Sequence, residues 1–297
     1  MIVITTPTGN IGHQVLANVI DGREPIRVIA RDPSRVPSHV RERVEVVQGS
    51  HGNIDVLNQA FAGADTVFWL VPPDPHAESI QNHILDFIRP ACEAINAQGV
   101  KRVISVSSLG RGTAKNAGQI SAIFAMDDLI ESTGVSYRSL AMPGFMDNML
   151  RQVEPIKSQG MFFSTISGDR RVPTCATRDI AAVAATLLLD EAWGGQETVP
   201  VLGPEYLSHT DMAQIMSEVL DRPIRYQQVP AEAHKATLMS HGMTEPWAQG
   251  LVDMTAAVDQ GIYDLEPRTP LSAAPTTFHA WCEEVLKPAV LAEEPVA

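Results

Sequence analysis

A short apolar run, Ile2-Val3-Ile4, gives way to Thr6-Pro7-Thr8-Gly9-Asn10-Ile11-Gly12 and then to a helical pattern, and no other feature constrains the fold as much. The order reads as strand, tight turn and helix start. Backbone N–H groups at the beginning of a helix starting near Ile11 have no partners within it, and the helix dipole adds partial positive charge there, so the turn suits a phosphate. Gly9 lets the main chain approach such an anion, and Gly12 lets the helix lie close to its strand. The dinucleotide fingerprint asks for one more glycine, where this chain has Thr6. The expected phosphate contacts are therefore Thr6, Thr8, Gly9, Asn10, Ile11 and Gly12.

Short β-branched runs alternate with helical patterns from the first residue to about Ala141, which specifies a parallel sheet with helices on both faces. The expected strands are Ile2–Thr5, Ile26–Ala30, Val44–Gln48, Thr66–Leu70, Arg102–Ser107 and Tyr137–Ala141. Helices are expected at Ile11–Ile20, Ile54–Phe61, Ala77–Ala97 and Ile120–Glu131, with Gly63, Gly99 and Gly134 standing where helices should stop. Beyond Pro143 longer helical patterns dominate: Phe145–Ile156, Thr177–Leu189, His209–Leu220, Glu232–Ser240 and Glu245–Ala257, with short strands near Thr198–Leu202 and Arg225–Val229. The fold class is α/β, a doubly wound parallel sheet of the Rossmann type with a smaller, mostly helical C-terminal lobe. Residues 1–143 form the sheet domain, 144–286 a substrate or partner lobe interleaved with the sheet, and 287–297 a flexible tail rich in Pro, Ala and Glu.

Composition narrows the partners. A formal charge of −13 over 297 residues, with no long Lys/Arg run, argues against nucleic acid, so any bound phosphate must be held locally. Cys92, Cys175 and Cys282 are odd in number and far apart, which fits a reducing compartment and excludes zinc sites based on spacing. No segment approaches the ~18 apolar residues of a membrane span, and the opening run is too short for a signal sequence. A cytoplasmic protein without membrane or metal partners is expected; a homodimer is left open.

Nineteen positions after Gly12 stands Ala30-Arg31-Asp32-Pro33-Ser34-Arg35, at the end of the second strand. An acid there accepts a ribose 2′-hydroxyl, whereas an arginine pairs with a 2′-phosphate. Arg31 and Arg35 point to NADP, Asp32 argues against it, and both arginines also read as solvated loop charges. Ligands of open sheets lie over the carboxyl ends of the strands. Those ends carry Ser50, Leu70-Val71-Pro72, Ser107 and Pro143-Gly144-Phe145, with adenine and ribose near the first two and nicotinamide near the last two. Pro72 reads equally as a pocket wall or a chain reversal. Ser107 could orient a carbonyl, although a serine at a strand end is more often a turn or capping residue.

The chain resembles the NmrA-like group of atypical short-chain dehydrogenases/reductases from Ile2 to about Trp281. The resemblance rests on Thr8-Gly9-Asn10-Ile11-Gly12, Ala30-Arg31-Asp32-Pro33, Leu140-Ala141-Met142-Pro143-Gly144-Phe145-Met146-Asp147-Asn148, Thr177-Arg178-Asp179-Ile180-Ala181 and Met212–Leu220. It implies an NADP(H) pocket, with Thr6 replacing the first glycine and Ala141 an arginine that many members carry. It also places Phe145, Met146 and Met149 toward a substrate, although core packing is the default for methionines and aromatics at such spacing.

Typical members of the wider superfamily use a tyrosine with a lysine four positions later as proton donor. Here Tyr137, Tyr206, Tyr226 and Tyr263 are followed at that distance by Ala141, Thr210, Pro230 and Pro267, so the pair is missing. No catalytic residue is named. His76 and His83, seven apart, could share a helix face but read as solvated surface. The expected function is an NADPH-dependent reductase of a small apolar electrophile, a quinone or activated alkene, by direct hydride transfer without a Tyr-Lys acid. The alternatives are a non-catalytic NADP-sensing regulator that binds a protein partner and, further off, a non-redox transformation.

Overall fold

Strand β1 (Ile2–Ile4) forms from the opening apolar run and stands inside a seven-stranded sheet in a computed structural model, which describes residues 1–113, 116–264 and 274–292. The sheet belongs to the first of two units, made of residues 1–108, 119–141 and 180–200. Its other strands are β2 (Ile26–Ala30), β3 (Glu45–Gln48), β4 (Thr66–Trp69), β5 (Arg102–Ser108), β6 (Ser136–Met142) and β10 (Gln196–Pro200). The order is β10-β6-β5-β4-β1-β2-β3, and the β1–β2, β2–β3, β1–β4, β4–β5 and β6–β10 pairs all run parallel. The chain fills one side of β1 with β2 and β3, then crosses to β4 on the other side. That crossing is the switch point over which doubly wound sheets bind ligands.

Every residue of β1, β2 and β4 is buried, as expected for strands covered on both faces. The helices of this unit are α1 (Gly12–Val19), α2 (Ser38–Arg41), α3 (Ile54–Phe61), α4 (Ile80–Gln98), α5 (Gln119–Ser132) and the body of α7 (Thr177–Leu189). Asn53 caps α3 through the N–H groups of Asp55 and Val56, Ser79 caps α4 through that of Asn82, and Gly99 closes α4 in the left-handed region at φ 67°. Arg27 is a polar exception within β2. Its guanidinium donates to the carbonyls of Ala60 at 2.7 Å and Ala62 at 2.8 Å, neutralising the negative end of α3, and pairs with Glu45 at 2.8 Å.

The second unit comprises residues 109–118, 142–179 and 201–297. Strand β9 (Val172–Cys175) pairs with β7 (Gly144–Phe145) and β11 (Tyr206–Leu207), and β8 (Met161–Ser164) pairs with β12 (Arg225–Gln228). The helices are α6 (Val153–Gln159), α8 (His209–Leu220), α9 (Ala231–Ser240), α10 (Glu245–Asp259), α11 (Phe278–Trp281) and α12 (Lys287–Leu291). Met146, Phe162, Met216, Phe278, Trp281 and Leu286 pack its core.

Three expectations differ from what is observed. The single helix expected at Phe145–Ile156 is a two-residue strand, a 3-10 stretch (Met146–Gln152) and α6. Pro155 lacks the N–H that a helix interior needs and is accommodated within the first turn of a helix restarting at Val153. The strand expected near Thr198–Leu202 is β10, which joins the main sheet beside β6. Where a flexible tail was expected from residue 287, Lys287–Leu291 is helical with Val290 buried and Lys157 Nζ donating to the Ala292 carbonyl at 2.6 Å; residues 293–297 lie outside the described residues. No helix among the described residues is long and apolar enough to cross a membrane.

Candidate functional site

The turn after β1 closes through the Gly9 N–H, which donates to the Thr6 carbonyl at 3.1 Å. His13 N–H and Val15 N–H are taken by the carbonyls of Gly9 and Ile11, at 3.0 and 2.9 Å. The N–H groups of Asn10, Ile11 and Gly12 have no acceptor among the described residues, so the start of α1 presents donors outward. A Cβ on residue 12 would stand 1.8 Å from the Thr6 carbonyl oxygen, so only glycine fits. Thr6 Oγ1 is buried here without a hydrogen-bond partner. Thr5 continues the strand by side chain: its Oγ1 donates to the Phe68 carbonyl at 3.1 Å and accepts from Leu70 N–H at 3.2 Å. The phosphate-type turn is thereby fastened to the end of β4.

At the end of β2, Arg31 and Arg35 are exposed. Asp32 caps the 3-10 turn Pro33–Arg35, accepting from Ser34 N–H at 2.9 Å and Ser34 Oγ at 2.6 Å. These hydrogen bonds, with a smaller contribution from Arg35, hold its carboxyl below the usual value. Asp32 is thus engaged by its own turn.

The segment after β4 is held by two histidines whose roles sequence reasoning missed, His51 after β3 and His83 on α4. His51 Nε2 lies 3.1 Å from the Leu70 carbonyl and His83 Nε2 2.8 Å from the Pro72 carbonyl. A carbonyl only accepts, so each ring carries its proton on Nε2. Burial, together with the Arg31 cation, brings His51 down to about 4 against the opposing effect of the Leu70 bond. His83 is half-buried and stacks toward Phe87 at 5.2 Å, correcting the solvated reading, and His76 precedes α4, so the two share no helix face. The segment Leu70–Pro72 is therefore held at both ends by imidazole hydrogen bonds. Ser50 is half-buried beside it and accepts from Gly52 N–H at 3.2 Å.

Ser107 lies near the carboxyl end of β5, 5% exposed, and donates to Asp127 Oδ2 on α5 at 2.5 Å. The same carboxylate accepts from Tyr137 at 2.5 Å and Ser139 at 3.1 Å, and Tyr137 also meets Ser105. Ser105 and Ser107, and likewise Tyr137 and Ser139, are spaced by two, so each pair shares a strand face. That spacing was the signal available in the sequence; which acid of α5 meets these hydroxyls, Asp127, Asp128 or Glu131, was not. Burial and the Asp127 charge hold the Tyr137 phenol well above 10, and its side chain is fully buried. It cannot donate to a substrate.

Among the residues expected at the far end, Pro143, Gly144, Phe145, Met146 and Met149 belong to the second unit. Pro143 is buried, Gly144–Phe145 pair with Thr174–Cys175, Phe145 is half-buried, Met146 is 3% exposed in the core, and Met149 packs against that core. Asp147, next to them, caps α7 through Thr177 N–H at 3.0 Å and Oγ1 at 2.8 Å.

The sheet order and the glycine turn define a Rossmann-type α/β protein. The model of the NmrA-like family matches residues 1–281. A (4-alkanoyl-5-oxo-2,5-dihydrofuran-3-yl)methyl phosphate reductase from Streptomyces griseus is 29% identical over 244 residues, 81% of each chain. An NAD(P)H azoreductase from Xenophilus azovorans is 25% identical over 273 residues, 90% of this chain and 92% of that one. Among solved structures, an NADPH-dependent quinone oxidoreductase from Escherichia coli, complexed with NADPH, has a TM-score of 0.79 at 21% identity, covering 94% of this chain and 97% of the other. The chain belongs to the NmrA-like family.

Proposed function

We propose that the chain binds NADP(H) and is an NADPH-dependent reductase of a small apolar electrophile, a quinone or an activated alkene. The observation that carries this reading is the turn Thr6–Gly12, with its outward N–H groups, its obligatory Gly12 and the unpartnered Thr6 hydroxyl. These features fit a pyrophosphate. Arg31 and Arg35 would hold a 2′-phosphate, and the capture of Asp32 by Ser34 supports NADP over NAD, because the acid is not offered to a ribose hydroxyl. The names of the relatives, a reductase and an azoreductase, support reduction as the reaction class.

Bound NADPH would supply a hydride; the protein's own part is to bind, orient and exclude water. We assign nucleotide binding to the first unit and substrate or partner recognition to the second. There Phe145 and Met149, both half-buried, are the residues assigned to substrate, and Met146 supports them from the core. A quinone suits a site lacking the Tyr-Lys pair, since solvent can protonate its reduced product.

The buried Tyr137 favours a second reading, a regulator that binds NADP and changes its affinity for a protein partner. Such a sensor must bind that partner differently with and without nucleotide. NADPH oxidation across a panel of quinones, enones and imines, run beside NADP and NAD titrations, separates the two. Turnover supports the reductase, and tight binding without turnover on any member overturns it.

A further inference from the structure

The proton directions around Asp127 follow from counting. Tyr137 has one hydroxyl proton and gives it to Asp127 Oδ1, so in the contact with Ser105 the serine donates. Ser107 gives its single proton to Asp127 Oδ2, an oxygen that also accepts from Ser139. Ser107 Oγ is left with lone pairs only. Among the described residues no N–H or O–H reaches it, and the residue, 5% exposed, stands near the carboxyl end of β5. An approaching group must therefore be a donor. A substrate or cofactor carbonyl gains nothing from this serine, which revises the carbonyl-orienting role considered for it.

The place in the sheet indicates which donor. With phosphates at the β1 turn and a 2′-phosphate at the end of β2, a dinucleotide crossing the switch point brings its pyridine end to the β4–β5–β6 side. The nicotinamide has one donor group, its carboxamide NH2, with two N–H donors. We infer that Ser107 accepts a hydrogen bond from the carboxamide of bound NADP(H), and that Asp127 is a positioning residue that enforces this polarity by holding the Ser107 proton. The inference rests on the NADP reading above and adds to it how the ring is recognised.

The test is equilibrium binding of the full chain, followed by intrinsic fluorescence, to NADP and to its 3-acetylpyridine analogue, in which a methyl group replaces the NH2. The wild type should prefer NADP about tenfold, the value of one hydrogen bond to a charge-polarised acceptor. Ser107→Ala should bind both nucleotides about equally, within roughly twofold. Ser107→Thr, which keeps the hydroxyl, should retain the preference. Asp127→Ala, which removes both acceptor oxygens, should lose it by freeing the Ser107 proton; if that variant does not fold, Ser107→Ala and Ser107→Thr still decide. Equal binding by the wild type, or an unchanged preference in Ser107→Ala, overturns the inference while leaving NADP binding intact. A wild type that binds neither nucleotide overturns the NADP reading itself.

Discussion

The carbonyl oxygen of Thr6 lies 1.8 Å from where a Cβ on Gly12 would stand, so the helix carrying the outward N–H groups is set against its strand by a backbone contact. Gly9 is different: a Cβ there would meet nothing closer than 3.5 Å, so it has room and Gly12 does not.

Gly12→Ala should therefore move α1 away from the turn. A loss of about 2–3 kcal/mol of stability is expected, in the range of overpacking into backbone, together with loss of NADPH binding. Gly9→Ala should cost far less stability. Urea unfolding and a fluorescence titration of each variant measure both effects.

Arg31 stands exposed at the end of β2, while Asp32 is held by Ser34. Arg31→Ala should weaken NADPH binding by about tenfold or more, the scale of a charge-assisted phosphate contact, and leave NADH binding unchanged. Parallel titrations with the two nucleotides check this. An equal loss for both would remove Arg31 from the 2′-phosphate.

Stability should fall on acidification below neutral pH. His51 and His209 are neutral when folded: burial lowers each from 6.5 to about 4, helped by Arg31 at His51 and opposed by Asp259 at His209. Between those values the unfolded chain binds more protons, so the contribution is fully present above about 6.5 and lost as pH drops toward about 4. Each histidine should cost about 2 kcal/mol between pH 7 and pH 5. Urea midpoints across that range measure the slope, and His51→Gln and His209→Gln should each flatten it.

The first unit was legible in the sequence because its strands are buried on both faces and its helices end at glycines. The pattern there changes from short continuous apolar runs to the 3.6-residue period of helices. The second unit was less so. Strands β7 and β11 are two residues long, too short for any alternation to register, and Pro155 broke a pattern that otherwise read as one helix. The turn residues Thr6–Gly12 were readable from sequence, as were Arg31 and Asp32, but the capture of Asp32 by Ser34 was not, since acid-x-Ser fits a ligand and a local turn equally. His51, His83 and Asp127 were missed for a related reason: their partners are backbone carbonyls or hydroxyls distant in sequence, and only the folded chain brings them together.

The network around Asp127 is buried, so removing one member leaves others without a partner. Tyr137→Phe deprives both Asp127 and Ser105 of a hydrogen bond and should cost about 1–3 kcal/mol. Chemical denaturation of the variant beside the wild type reads this directly. A cost near zero would mean that the hydroxyls regroup around Asp127.

The central claim is that this fold holds NADPH and passes its hydride to a small electrophile without a tyrosine acid. Mixing NADPH-loaded protein with a panel of quinones in a stopped-flow instrument, and following the absorbance of the reduced nicotinamide, tests that claim most directly. The expected result is rapid loss of that absorbance with at least one quinone, at a rate well above that of free NADPH. Absorbance that persists across the panel, with NADPH demonstrably bound, would contradict it.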